Sequence, residues 1–511
     1  MGRSSRDQEM QTSSGFHGRA IMSQSSREDS IGQDKKADTD IEPEASVRGS
    51  EDVEAAAVPT KPWAAASPPP PALSDVPDGG LDAWLQVLGS WVIMVNTWGL
   101  VNSYGVYQTY YETVLLPSQT SSAISWMGSL QAALLMVLGV VSGPLYDAGH
   151  LKLLVRAGLF LIVLGMFMTS LCRAYWQVLL AQGFCVGVGM GLVFLPSTAV
   201  ISQYFRRHRA LALGIASSGS PVVGMVFPII FTHLVGSVGF GWATRVIAFI
   251  LLGLDVIPVI FMHPRIATTT TATTPQHSPL PEPAETPQQQ QQQQEKKKLP
   301  PKRRPRFDPS ALRDVPYLLI AAASFFAFLT LYVAFFYIQL YAEQLARADS
   351  HPPPSLAPYL VTLLNAGSVV GRILPNALAD RAGSLNVLLA CTGASAALAY
   401  AWLGTRGLGG LAAFALLYGG FSGGVLSVLP SVVMAMTPDL SRLGARMAVL
   451  FLLGGLSVLC GTPIAGAVLG GASEAEWKGM IGYSAAGLTV ATVLLCVSRA
   501  ILYRKTGKIR Q

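Results

Sequence analysis

Twelve apolar runs, each long enough to cross a lipid bilayer, divide this 511-residue chain into two sets of six. A helix rising about 1.5 Å per residue needs about 20 apolar residues to span a hydrocarbon core of roughly 30 Å. The first set covers 84–107, 122–145, 151–171, 175–199, 210–232 and 242–263. The second covers 316–341, 356–378, 385–405, 409–436, 443–470 and 479–502. Only 13% of residues are charged, against about 25% in a typical soluble domain. Most of the chain is therefore expected to face lipid, where a spanning segment must satisfy its own backbone. The predicted fold class is all-α and polytopic, with twelve transmembrane helices in two six-helix halves.

The segments outside these runs read differently. Residues 1–75 are rich in Ser, Asp, Glu, Pro and Gln and are expected to form a disordered tail. Residues 264–315 carry a Thr run, seven glutamines from Gln288 to Gln294 and the basic string EKKKLPPKRRPRF, a composition that cannot bury a core. The predicted division is a tail over 1–75, a first half over 76–263, a basic loop over 264–315, a second half over 316–503 and a tail over 504–511. Arg206, Arg207 and Arg209 follow the fourth run, and Arg504, Lys505, Lys508 and Arg510 close the chain. The opposite loops hold only Arg173, Arg347, Arg406 and Lys478. Cytoplasmic loops carry the excess of Lys and Arg, so both termini and the basic loop are expected in the cytoplasm. That topology accounts for the net charge of +7 without a nucleic-acid partner. The first run begins too far along to be a cleaved leader.

Several chemistries are disfavoured. Cys172, Cys185, Cys391, Cys460 and Cys496 all fall in or beside apolar runs without paired spacing; they read as packing residues, with no disulfide framework and no metal site. Gly187, Gly189 and Gly191 lie mid-run with no strand before them, which fits close helix packing rather than a dinucleotide fingerprint. No Walker loop occurs, so a gradient rather than ATP is the expected energy source. No soluble segment assembles a nucleophile, a base and an orienting acid, so an enzyme is not expected, and no cofactor either.

The halves repeat one another. The second run exits through GPLYDAGHLK with Asp147, and the eighth through NALADRAGSLN with Asp380. The fourth reads GVGMGLVFLPS and the tenth GGVLSVLPS, each followed by a helix bearing Gly and Pro. Two related halves imply a secondary carrier whose site lies between them near the bilayer midplane.

The arrangement resembles the major facilitator superfamily, and two stretches are similar to its monocarboxylate-transporter-like branch in its fungal form. One is Asp78, Gly79, Gly80 and Trp84 ahead of the first run; the other is YFRRHRALALGIASSGSPVVG, from Tyr204 to Gly224. The resemblance covers about 76–263 and 310–503. It implies alternating access, with gating at Asp78, Gly79, Gly80, Asp147, Arg207, Arg209 and Asp380. Asp78 is also expected to cap the first helix, its carboxylate accepting from orphan N–H groups.

Polar residues within apolar runs are costly and usually face a cavity or the bundle interior. Arg372 is the sharpest candidate, because a guanidinium can bind a carboxylate through two parallel hydrogen bonds. It also falls where the resemblance places a substrate-linked Arg, the alternative being an Arg that reaches the interface and pairs with Asp380. Asn96, Asn102, Tyr332, Tyr337 and Asn365 complete the expected substrate-binding set, with Phe335 and Phe336 as aromatic walls. Tyr104, Tyr107 and Tyr341 fit interfacial anchors as well as a cavity. Asp255 and Arg245 share the sixth run, and Asp255 reads equally as a proton relay or a structural residue. Ser368 and Asn102 stand where the animal proteins of this branch carry an acid and a Lys, so their proton coupling does not carry over. The expected function is secondary transport of a small organic solute, a monocarboxylate or related acid. Efflux of a fungal secondary metabolite and a transporter-like solute sensor are the alternatives. Expected partners are that solute, a proton as candidate coupled ion, and membrane lipid. The expected location is the plasma membrane, with the vacuolar membrane as alternative.

Overall fold

The computed structural model describes residues 78–265, 311–348, 356–437 and 440–507, apart from 206, 207, 312, 406 and 472. The tail over 1–75 and most of the 264–315 loop therefore lie outside the described residues. Eleven helices among the described residues are long and apolar enough to cross a membrane. They are α1 Leu81–Leu115, α2 Ser121–Asp147, α3 Leu151–Thr169, α4 Tyr175–Tyr204, α5 Leu211–Phe261, α6 Val315–Leu345, α7 Ala357–Ala382, α8 Ser384–Trp402, α9 Leu408–Ala435, α10 Leu443–Leu469 and α11 Glu474–Thr506.

The twelfth expected helix is hidden in α5, which joins the fifth and sixth apolar runs. Its 51 residues would reach about 75 Å if straight, more than twice the hydrocarbon thickness. Gly239, at φ 80 and ψ 169, folds it into two arms. The start of α5 packs against Trp91, where a methyl on Gly219 would lie 2.5 Å from the carbonyl oxygen. Its end packs two residues away, where a methyl on Gly89 would lie 2.6 Å from Met262 Cγ. Both arms thus return to the same stretch of α1, and the described residues make twelve spans. The expected loop shrinks to one residue because glycine reaches that left-handed φ without steric cost.

One face of the bundle gathers the helix ends beside the 264–315 loop, and we call it the near face. There Gln86 Nε2 donates to the Phe261 carbonyl at 2.9 Å and Ser498 Oγ to the Pro316 carbonyl at 3.1 Å. Arg446 Nη1 stands 3.3 Å from Asp314 Oδ2 and its guanidinium lies over the Tyr317 ring. The far face holds the α1–α2 turn, the Gly239 fold and the start of α7.

Helix α1 begins later than a capping Asp78 requires. Gly80 occupies the N-cap and offers no side chain, while the acid in the first turn is Asp82. Asp78 stands two residues farther out at φ 47. Two π-helical stretches, Val95–Gly99 and Tyr111–Leu115, interrupt α1. Such widened turns are frequent at functional sites because they re-aim side chains.

Small residues set the helix spacing. A methyl on Gly367, Gly371 or Gly419 would run into the backbone carbonyl of Leu416, Gly420 or Leu364, so α7 and α9 touch backbone to backbone. Gly189 of the GVGMG stretch faces the Gly158 carbonyl of α3, while Gly191 faces that of Leu134 in α2. These glycines serve packing. Cys172 and Cys391 are buried, but Cys460 and Cys496 are exposed on the bundle surface rather than packed.

Replacing Gly371 by Val is expected to destabilise the detergent-solubilised protein by about 3 kcal/mol through overpacking. Gly482→Ala, at a site with nothing within 4 Å, is expected to leave it unchanged. Denaturant-induced unfolding, followed by tryptophan fluorescence, measures both.

Candidate functional site

The two halves meet along a seam formed by α1, α2, α4 and α5 on one side and α6, α7 and α10 on the other. At its centre lies Arg372 of α7, 4% exposed. Its Nη1 donates to the Ser217 carbonyl at 3.4 Å, while its Nε is buried with no partner. The guanidinium is thus neither at the interface nor paired with Asp380, which is exposed. Tyr332 of α6 is its electrostatic neighbour, and the Tyr332 hydroxyl is likewise buried and unpartnered.

Asn365 stands two turns from Arg372 on the same helix. Its Nδ2 donates to the Val361 carbonyl at 2.9 Å and reaches the Asn102 carbonyl across the seam at 3.4 Å. Asn365 Oδ1 and both amide atoms of Asn102 have no hydrogen-bond partner. A buried polar atom without a partner costs about 1–3 kcal/mol. Several of them lie along the seam within two turns of one guanidinium.

Aromatic rings wall this centre. Trp98, from the first π-helical stretch of α1, stacks on Tyr332 with centroids 6.0 Å apart and planes 13° apart. Phe194 of α4 meets the Trp98 edge at 5.9 Å and Phe451 of α10 at 5.9 Å. Phe335 tilts against Tyr332 at 5.5 Å. Flat apolar faces beside a forked cation suit a conjugated body that carries an acid.

Toward the far face the seam is latched. Ser122 Oγ donates to the Pro463 carbonyl at 2.9 Å and Thr362 Oγ1 to the Met225 carbonyl at 3.2 Å. Tyr359 and His233 Nε2 lie 3.2 Å apart. The Tyr337 hydroxyl meets Ser125 Oγ and reaches the Thr462 carbonyl at 3.3 Å. Behind it, Ser121 Oγ donates to Glu112 Oε2 at 2.6 Å, and Gln108 Nε2 bonds both Glu112 and Ser125. Among the described residues the cross-half bonds of Ser122, Thr362, Tyr359 and Tyr337 lie at the centre or beyond it, and they close this conformation on the far side.

The structure therefore brings together Arg372, Tyr332, Asn102 and Asn365. It places Tyr337 in the latch instead, and turns Asn96 away from the seam toward Asp255 on the second arm of α5. Tyr104 and Tyr107 are fully buried and not interfacial anchors; Tyr104 donates to the Ile124 carbonyl at 2.9 Å. Arg245 bonds Ser170 Oγ at 3.2 Å and lies over Trp242, not near Asp255. Ser368 sits against Gly423 of α9. Of the gating residues, Asp147 is exposed at the end of α2, while Arg207 and the side chain of Arg209 lie outside the described residues. Sequence reasoning passed over Trp98, Phe194, Phe451, Gln108 and Glu112. Glu112 carried a visible signal, being the acid at the far end of the first run.

A two-halved bundle with a polar, aromatic-walled centre on its seam defines a membrane carrier. The Major Facilitator Superfamily model matches residues 83–404. The MFS-type transporter dbaD of Emericella nidulans is 38% identical over 82% of this chain and 87% of its own length. The aspyridones efflux protein apdF of the same organism is 31% identical over 86% of this chain and 82% of its own. Among solved structures, a peptide transporter, POT, superposes with a TM-score of 0.61 at 14% identity, covering 86% of this chain and 98% of that one. The nucleoside transporter NupG gives 0.58 at 11%, covering 81% and 99%. The chain belongs to the Major Facilitator Superfamily. It is a multi-pass membrane transporter and not an enzyme.

Tyr337→Phe is expected to loosen the far-side latch by about 1–2 kcal/mol, roughly 5- to 30-fold in the closed-to-open ratio. A cysteine placed at Asn102 in a background lacking the native five would then react faster with an impermeant maleimide applied from the far side. An unchanged rate would mean that the hydroxyl does not hold the latch.

Proposed function

We propose that this transporter exports a conjugated or aromatic organic acid of the secondary-metabolite type, with Arg372 gripping the acid group between the aromatic walls. The observation that carries the reading is the buried guanidinium whose Nε is left without a partner on the seam. An anion entering there regains the hydrogen bonds the protein does not supply, and its charge offsets that of the Arg. Asn102, Asn365 and the Tyr332 hydroxyl add polar contacts on either side. The stacked pair Trp98–Tyr332 favours a flat body larger than lactate, and relatives named for efflux support the outward direction. The Asp-Gly-Gly and Tyr-Phe stretches support a place in the monocarboxylate-transporter-like branch.

In this reading the near face is cytoplasmic and the membrane is the plasma membrane, following the Lys and Arg distribution. The conformation described, closed on the far side, is then the one that loads solute from the cytoplasm. Asp78, Gly79, Gly80, Asp147, Arg207, Arg209 and Asp380 gate the near side, and a proton gradient drives the cycle. The halves rock about the seam; closure of the near face breaks the far-side latch and releases the solute outside.

Inside-out plasma-membrane vesicles from transporter-null yeast expressing the protein test this with 2,4-dihydroxybenzoate and lactate as probes. The aromatic acid is expected to accumulate and lactate not. Arg372→Ala is expected to weaken apparent affinity about 10- to 100-fold, the loss of a charged hydrogen bond worth about 1.5–3 kcal/mol, with Arg372→Lys intermediate. Equal transport of lactate, or indifference to Arg372→Ala, would overturn the assignment.

A further inference from the structure

The SSGSP stretch near the start of α5 leaves one backbone group without its helical partner. In an α-helix each N–H donates to the carbonyl four residues back. Pro221 has no N–H, so the Ser217 carbonyl is released from the ladder. The helical run pauses here: one segment ends at Ser217, the next starts at Gly219, and Ser218 stands between them at φ −65 and ψ −18. Two donors meet the released carbonyl. Ser220 Oγ, from the same helix, lies 3.3 Å away, and Arg372 Nη1 reaches it from the other half at 3.4 Å. The neighbouring hydroxyls are occupied locally, Ser217 Oγ by the Gly214 carbonyl at 2.9 Å and Ser218 Oγ by that of Ile215 at 2.7 Å.

Both ends of this contact sit on close-packed supports. Beside Ser217, a methyl on Gly219 would meet the Trp91 carbonyl of α1, and beside Arg372, a methyl on Gly371 would meet the Gly420 carbonyl of α9. The bond from Arg372 to Ser217 therefore ties one half to the other at the solute centre. A peptide carbonyl is a neutral acceptor, whereas a carboxylate makes the stronger, charge-assisted bond to a guanidinium. The carbonyl can give up Arg372 without being stranded, because Ser220 Oγ stays beside it.

We propose that Pro221 is a positioning residue for Arg372: by freeing the Ser217 carbonyl it gives the guanidinium a neutral partner at rest, which an arriving acid displaces. Binding then has two effects. It fills the guanidinium, and it cuts a tie between α5 and α7, so the occupied carrier is freer to rock than the empty one. The positioning rests on the structure alone, and the displacement rests on the acid reading above.

Spin labels at Ile215 of α5 and Ile373 of α7, both exposed, report this contact by pulsed electron–electron distance measurement. The protein is full-length, in lipid, and lacks the native cysteines. Pro221→Ala supplies the missing N–H to Ser217, so without any solute its distance distribution is expected to be broader than the parent's. Ser220→Ala is expected to keep the parent's distribution. Adding 2,4-dihydroxybenzoate is expected to broaden the parent toward Pro221→Ala and to leave Pro221→Ala as it was. In the vesicle assay the two variants are expected to move apparent affinity in opposite directions, by about 2- to 10-fold each. Pro221→Ala tightens it, because no internal partner competes, and Ser220→Ala weakens it, because the displaced carbonyl is stranded. Damage to the helix would weaken both. An unchanged solute-free distribution in Pro221→Ala, or weaker affinity in both variants, would overturn the proposal. If Pro221→Ala does not fold, an unweakened Ser220→Ala overturns it alone. Solute-free broadening in Pro221→Ala with no response of the parent to the probe would uphold the positioning and overturn the acid reading instead.

Discussion

In hydrocarbon a polar atom has no water to turn to, so each must find its partner inside the protein or be left for something that binds. Most of this chain obeys the first alternative. Buried hydroxyls return to their own helix, as Thr97 does to the Ile93 carbonyl at 2.7 Å and Ser395 to Cys391 at 2.8 Å. Unpartnered atoms also remain elsewhere, at Gln131, Thr244 and Trp402, but those of Arg372, Tyr332, Asn102 and Asn365 sit on facing helices of the two halves. They converge on the seam, where two halves that are internally well packed meet by means that can be broken and remade.

The two kinds of contact differ in chemistry. Inside the second half, α7 and α9 touch through glycine backbones with no room for a methyl group, a dry contact that resists separation. Across the seam glycines also come close, Gly105 against the Phe335 carbonyl and Gly466 against the Ser122 backbone, but there they are joined by far-side hydrogen bonds from Ser122, Ser125, Tyr337, Tyr359 and Thr362. Each such bond is worth about 1 kcal/mol net, enough to favour one state collectively and few enough to be exchanged for others. Rigid halves and a polar seam are what alternating access requires.

The spans were legible in the sequence because twenty apolar residues admit few other fates. The interior was legible only by type. A run that reads polar at Asn96 and at Asn102 does not say which way each points, and the π-helical stretch over Val95–Gly99 shifts the helical phase between them. Asn96 consequently faces α5 and Asn102 the seam. The fold at Gly239 looked like a loop because nine residues of weaker hydropathy surround it, yet the glycine alone makes the turn. Tyr337 read as a cavity residue for the right reason, a buried hydroxyl, but its partners come from α2 and α10, more than a hundred residues away. Arg372 was legible as a buried cation because a charge in an apolar run must be held inside the bundle, but the sequence did not show that the Ser217 carbonyl would take Nη1 and leave Nε without a partner.

The central claim is that the halves rock about this seam while the solute centre stays between them. Pulsed electron–electron distance measurement between spin labels tests it directly, with one pair at positions 233 and 359 on the far side and another at 147 and 380 on the near side. Adding 2,4-dihydroxybenzoate, and then shifting the lipid-reconstituted protein between acid and alkaline pH, is predicted to populate a second state in which the far pair separates as the near pair closes. Two distances that stay fixed together, or that open together, would contradict alternating access about this seam.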